Sequence, residues 1–406
     1  AGAAHAGGTF IPGYGSQAQP RAGAFTAKAD DPSAIFHNPA GLAKLKGTMI
    51  HIGVNLINFS QEFTRSGSYD QCTDAKCPGG VPYAGQSYET VENQAHGAVS
   101  VGDFAVVPLI SASSDLGLGL PLVFAAGVFA PGAGSADREF EPDYIIEGDP
   151  NRPPPPQRYD IMSQELAALM PSVAVGYQVN EKFDIGLRVS WGFAHLKGQV
   201  ATWGLRNFEE WEGFDADFAI EAEDNFIPSV GLGALYRPRT DLELGFNYRS
   251  AQSINAKGTG VAYSGSGTLV EGLDVLQPQT DAPYVCGPGG TIVAFTACVE
   301  TKLPQVATLA GRWILRDDAG EERADIELDL QWENWSNAST ITNLVDGKTV
   351  LHPALPPSVV RHGYKDVLSA RLGGSYVVPL GKNKLSVRGG VAHDTKTAPN
   401  SWTRLD

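Results

Sequence analysis

The residues best suited to chemistry are four cysteines and eight histidines, and their spacing gives them little to do together. Cys72 and Cys77 bracket "CTDAKC", while Cys286 and Cys298 flank "GPGGTIVAFTA". A CxxxxC pair could supply half of a tetrahedral metal site, but no His or Cys cluster stands nearby to complete the set. Both pairs fall in Gly/Pro/Ser-rich stretches, as loop-stapling disulfides of an oxidising compartment would. The expected pairing is 72–77 and 286–298; the two other connectivities stay open. His5, His37, His51, His96, His195, His352, His362 and His393 are dispersed, with no HExxH. "YSGSGT" (263–268) lacks the strand–turn–helix setting of a nucleophile elbow, and neither a P-loop nor a dinucleotide fingerprint occurs. The chemistry-bearing residues therefore predict no enzyme, no metal and no cofactor.

Composition narrows the class further. The formal net charge of −15 over 406 residues offers no basic face for nucleic acid. Charged residues are 18% and Gly numbers 47, and no segment approaches the roughly 18 apolar residues of a spanning helix. The longest apolar stretch, "LGLPLVFAAGVFA" (118–130), is broken by Pro121 and glycines.

The elements that must carry these residues alternate with period two. In "KFDIGLRVSWGF" (182–193), Phe183, Ile185, Leu187, Val189, Trp191 and Phe193 share one face, opposite Asp184, Arg188 and Ser190. "LELGFNYRS", "ADIELDLQWEN" and "LSVRGGVA" repeat the scheme, each with an apolar face free of charge. A soluble sandwich turns such a face to its core, whereas a membrane barrel turns it to lipid.

Connection lengths separate the two. Eleven strands are expected near 47–59, 103–114, 118–130, 166–179, 182–201, 224–236, 241–263, 301–315, 322–341, 365–379 and 383–395. Long connections (60–102, 131–165, 202–223, 264–300, 342–364) alternate with short ones: "SDL", "NE", "RPRT", "RDDAGE" and "LGK". Long loops on one rim and tight turns on the other fit an outer-membrane antiparallel β-barrel. Arg188, Arg249, Arg312, Arg371 and Arg388 would then share the lumen with Asp325, Glu327, Asp329 and Glu333. This topology leaves residues 1–46 on the short-turn side, where a weakly charged segment of small residues can fold into the lumen and plug it.

The segment "RAGAFTAKADDPSAIFHNPAGLA" (21–43) resembles the FadL-type outer-membrane transporters of long-chain fatty acids and aromatic hydrocarbons. "WENWS" (332–336) and the later "RLGGSYVV" are similar to that family too, while the close resemblance covers about residues 21–50. The resemblance implies a monomeric, fourteen-stranded barrel in the outer membrane of a Gram-negative bacterium, closed by an N-terminal hatch (1–46) ahead of the barrel wall (47–406). It implies passive uptake of a hydrophobic small molecule, released sideways into membrane lipid at an inward kink of the third strand. Here that kink would involve Gly127, Pro131, Gly132 and Gly134, because Pro131 cannot donate to the ladder and glycines accept unusual backbone angles. The alternative is that Pro131-Gly132 simply ends the strand. Asn38, Pro39, Ala40 and Gly41 are the candidate hatch residues: Asn38 would bond backbone groups freed at the kink, and Pro39 would fix the turn.

Other readings remain: a diffusion porin or envelope scaffold sharing the barrel, a secreted β-sandwich, or a place within a larger envelope complex. Eleven is odd, whereas single-chain bacterial barrels close with an even number. Strand one and the 383–395 strand are therefore expected to lie too far apart to pair, with about three C-terminal strands missing or supplied by another chain.

Overall fold

A computed structural model describes residues 13–57, 59–69, 82–97, 100–101, 104–130, 136–139, 153–159, 162–203, 215–264, 296–345 and 358–398. Nineteen strand segments lie in one antiparallel sheet, β1 (Thr48–Ile57), β2 (Phe59–Thr64), β3 (Thr90–Gly97), β4 (Ser100–Val101), β5 (Phe104–Ser114), β6 (Leu122–Phe129), β7 (Ala136–Glu139), β8 (Ser163–Asn180), β9 (Phe183–Trp203), β10 (Asp215–Arg239), β11 (Leu242–Arg249), β12 (Gln252–Ser264), β13 (Thr296–Leu303), β14 (Val306–Arg316), β15 (Glu322–Glu333), β16 (Thr340–Val345), β17 (Ser358–Arg361), β18 (Val367–Leu380) and β19 (Asn383–Asp394). Pairing groups them into a meander of consecutive staves: β1/β2, β3–β5, β6/β7, β8, β9, β10, β11/β12, β13/β14, β15/β16, β17/β18 and β19. Each stave matches one of the eleven strands expected from the alternation.

The wall is taller than its hydropathy suggested. β2 pairs with β3 across Phe59–Ala95 to Thr64–Thr90, inside the expected loop 60–102. β9 and β10 likewise stay paired out to Trp203 and Asp215, inside the expected loop 202–223. Above the apolar zone both faces of a strand can be polar, so no alternation marks it. The short turns fall where expected; in the turn at 381–382, Gly381 takes φ +64°, a conformation that favours glycine.

The apolar faces point outward. On β9 the outward Leu187, Val189, Trp191 and Phe193 are exposed, while Arg188 and Ser190 between them are buried. Higher on the same face His195 Nδ1 meets Glu223 Oε1 at 3.2 Å and Lys197 Nζ meets Glu221 Oε1 at 3.4 Å. These polar contacts mark the upper limit of the apolar zone. No described helix is long and apolar enough to cross a membrane.

No ladder pair joins β1 to β19 among the described residues: β1 pairs with β5, and β19 with β18. Among the described residues each keeps one edge without a strand partner. Cys72, Cys77 and Cys286 lie outside the described residues, and Cys298 is buried on β13.

Candidate functional site: an N-terminal segment clasped inside the barrel

Residues 13–46 form short helical turns: a 3-10 turn Gln19–Arg21, helix α1 (Ala34–His37) and a 3-10 turn Pro39–Lys44. They touch opposite walls, with Gln19–Arg21 against β18 and β19 and Pro39–Lys44 against β6, β8, β9 and β10. The segment therefore fills the interior. Small residues allow this, since its backbone must approach the wall from all sides.

Glycines make the seat. A Cβ on Gly186 would stand 2.2 Å from Ala40 N, one on Gly176 2.7 Å from Ala43 N, and one on Gly233 2.1 Å from Asn38 Oδ1. These three are neighbours in register across β8, β9 and β10. On the opposite wall, a Cβ on Gly373 or Gly390 would strike the backbone of Arg21.

Carboxylates make the clasp. Arg21 NH1 lies 2.8 Å from Asp325 Oδ2 and NH2 3.0 Å from Glu327 Oε2, with all three side chains 0% exposed. Glu327 Oε1 also accepts from Ala27 N at 2.6 Å, and Asp329 Oδ2 accepts from Thr26 N at 3.1 Å. Buried carboxylates are tolerable only when paired and hydrogen-bonded, and here backbone amides of the segment are among the donors. Lys44 Nζ reaches Glu243 Oε2 at 3.0 Å and the carbonyls of Ala27 and Lys28 at 2.7 and 2.9 Å. Burial pulls the Lys44 ammonium below its ordinary value, against the pull of Glu243.

The predicted lumen charges divide into two groups. Arg312 joins Glu243 at 2.9 Å and Asp325 at 3.0 Å. Glu333 accepts from Trp335 Nε1 at 2.6 Å, at the foot of the "WENWS" turn. Arg188 instead donates from NH1 to Ile35 O at 3.0 Å, Arg371 lies 3.6 Å from Asp394, and Arg388 donates to Gln17 Oε1 at 3.3 Å. Arg249 lies over the Phe36 ring at 5.7 Å. Sequence reasoning missed Arg21, Lys28 and Lys44 as partners of the wall. Their signal was the few cations, Arg21, Lys28, Lys44 and Lys46, of a weakly charged segment, which alternation cannot reach.

Asn38 sits elsewhere than expected. Its Nδ2 donates to Thr26 O at 2.9 Å and to Ala234 O on β10 at 3.3 Å, and its Oδ1 accepts from Ala40 N. Among the described residues it bonds β10, where Gly233 leaves room for it, and not the third stave. Pro39 opens the 3-10 turn that Asn38 caps, and Ala40 and Gly41 lie buried within that turn.

Gly127 lies in unbroken ladder, paired with Ser111 and Ser172. Pro131, Gly132 and Gly134 lie outside the described residues. Nearby, β6–β8 pairing runs to Phe129–Met170 and β7–β8 pairing runs from Glu165, and residues 131–135 between β6 and β7 lie outside the described residues. Tyr14, Val107, Leu109, Phe129, Ala130 and Met170 form a buried apolar cluster between the N-terminal segment and β5, β6 and β8.

A wall of apolar-faced strands around a clasped segment can be compared with known proteins. Over residues 1–405 the sequence matches the family described as outer membrane protein transport protein (OMPP1/FadL/TodX). The chain belongs to this family. It resembles in fold a Pseudomonas aeruginosa FadL homologue (18% identity, 98% of this chain and 84% of that one, TM-score 0.65). The Pseudomonas putida toluene transporter TodX (15%, 98% and 88%, TM-score 0.63) and the Ralstonia pickettii toluene transporter TbuX (15%, 95% and 87%, TM-score 0.60) are similar too. None of the curated protein sequences matches it. As a FadL-type barrel it resides in the Gram-negative outer membrane and transports hydrophobic compounds; it is not an enzyme.

Proposed function

We propose that this FadL-type protein passes a hydrophobic small molecule, a fatty acid or an aromatic hydrocarbon, through a plugged lumen and releases it sideways into the bilayer. Residues 1–46 act as a hatch and 47–406 as barrel wall. The family match over residues 1–405, with the buried apolar cluster between the N-terminal segment and β5, β6 and β8, carries this reading. An apolar ligand gains roughly 25 cal/mol per Å² on leaving water, so a side exit into lipid is downhill where an aqueous pore is not. The kink at Pro131, Gly132 and Gly134, the pairings Cys72–Cys77 and Cys286–Cys298, and a monomeric state belong to the same proposal.

Replacing Pro131-Gly132-Ala133-Gly134 with Val-Thr-Val-Thr should pair the third stave through residues 131–134. Transfer of a dansyl-labelled fatty acid into proteoliposomes should then stop while the barrel stays folded. Undiminished transfer by that variant refutes sideways release. A diffusion porin would instead conduct ions in planar bilayers, which the clasped segment opposes.

A further inference from the structure

We infer that the short turn between β5 and β6 is a membrane foot: Leu116, Leu118 and Leu120 sit in the phospholipid leaflet on the short-turn side of the barrel. This seating is independent of sideways release.

The turn differs from its neighbours on the same rim. Arg239 pairs with Asp241, Arg323 with Asp317, and Lys384 with Glu321 across two turns, so those turns are laced with charge suited to water. Residues 115–121, "DLGLGLP", carry one charge and three leucines, and the leucines are 60%, 55% and 54% exposed. The one charge is committed to the backbone, because Asp115 accepts from Gly47 N at 2.7 Å and from Gly117 N at 3.0 Å. Leu116 and Gly117 have φ of +55° and +62°, and Leu118 N donates to Asp115 O at 3.2 Å. Hairpin turns with positive φ at both central residues favour Asn, Asp or Gly at the first. A leucine there costs strain that a turn in water has no reason to carry.

Position assigns lipid as what covers these leucines. Leu120 stands two residues before Leu122, which pairs with Tyr177 and shares the outward face of β6 with the exposed Phe124. Pro121 O accepts from Gln178 N at 2.9 Å, which carries the contact of β6 and β8 past the ladder. The same register brings Leu120 level with the exposed Val179. The lipid-facing band therefore runs into the turn, and Leu118 and Leu116 extend it beyond the polar end of β8. Exposed Lys46, beside Gly47, supplies an ammonium for phospholipid phosphates at that level. Interfacial segments of this kind bury their apolar side about 5–10 Å into the boundary of headgroups and acyl chains. Three leucines fall short of the roughly 800 Å² per partner of a standard protein interface, whereas lipid sets no such threshold.

The test places a bimane label on Leu118→Cys or, in the charged turn between β14 and β15, on Ala319→Cys. Each full-length protein is reconstituted in vesicles of phosphatidylcholine and phosphatidylglycerol, with unaltered protein taken through the same labelling as the blank. Both labels lie on one rim, so vesicle sidedness affects them equally. A nitroxide on the lipid acyl chain should quench the label at 118 about threefold more than the label at 319, and aqueous iodide should do the reverse. Adding Leu116→Asn and Leu120→Asn to the Leu118→Cys chain should bring lipid quenching down to the level at 319. Asn suits the positive φ at 116, so the turn itself persists. A label at 118 that iodide reaches as freely as the label at 319 overturns the inference and leaves the leucines to water or to a periplasmic protein. Lipid quenching unchanged by the two asparagines overturns it too, because the label alone would then be seeking lipid.

Discussion

Asn38 lies so close to Gly233 that a Cβ built on the glycine would stand 2.1 Å from the Asn38 Oδ1. The turn Pro39–Lys44 of the N-terminal segment and β10 meet with no side chain on Gly233 between them. Gly233→Ala should therefore push the hatch from its seat, at a cost of about 1–3 kcal/mol typical of overpacking. Limited proteolysis should cut residues 13–46 faster while the heat-resistant barrel band persists on gels. Gly311→Ala, whose new methyl would find only Leu244 Cδ2 at 3.9 Å, is the silent control.

Asn38 separates its own roles by chemistry. Asn38→Asp keeps an acceptor for Ala40 N but loses the donor to Thr26 O and Ala234 O, and places a carboxylate against two carbonyls. Asn38→Ala loses the cap as well, worth about 0.5–2 kcal/mol. Asn38→Asp is expected to loosen the hatch at least as much as Asn38→Ala, because repulsion replaces attraction. A proteolysis ranking with Asn38→Asp indistinguishable from wild type would show that the cap alone matters.

Glu327 accepts from Arg21, Ala27 N and Lys28 N at once. Glu327→Gln leaves the Arg21 charge buried with one carboxylate fewer, at about 3–5 kcal/mol for a broken buried pair. Ion conductance in planar bilayers should rise as the hatch detaches. Arg21→Met combined with Glu327→Gln should cost less than the sum of the two single changes, and additive costs would place the coupling elsewhere.

The hatch should also respond to acid. Burial lowers the His37 imidazole from 6.5 to about 4, with the Tyr14 carbonyl and Asp31 opposing. A folded-state value below the unfolded one means that the unfolded segment binds the proton first. The stability contributed by neutral His37 is whole above about 6.5 and drains as the pH falls toward 4. Protease sensitivity near Tyr14 should therefore climb across that window in wild type. His37→Gln keeps a donor for Tyr14 O and should flatten the climb; an identical profile would assign the response to other groups.

Much of the wall was legible in order. Strict alternation in "KFDIGLRVSWGF" shows which residues face lipid, and Arg188 between Leu187 and Val189 could face only inward. Where polar residues break into both faces, as along β2 and β3, the same signal weakens and the strand is lost to reading. The "NPAG" turn was legible as a turn, because Pro39 restricts itself and Asn38. Its partner was not, since Ala234 lies 196 residues away and only the register of β9 and β10 brings it to Asn38.

The sequence by itself determined that apolar faces alternate with polar ones, that long and short connections alternate, and that a weakly charged segment precedes the first strand. Local sterics and the period of a strand suffice for each of these. Only the tertiary structure decided that Gly176, Gly186 and Gly233 share one level of the wall, that Asp325, Glu327 and Asp329 clasp the backbone near Arg21, and that Tyr14 reaches the end of β6. Those contacts depend on strand register and on the curvature of the wall, which sum over many pairings and belong to no short stretch of chain.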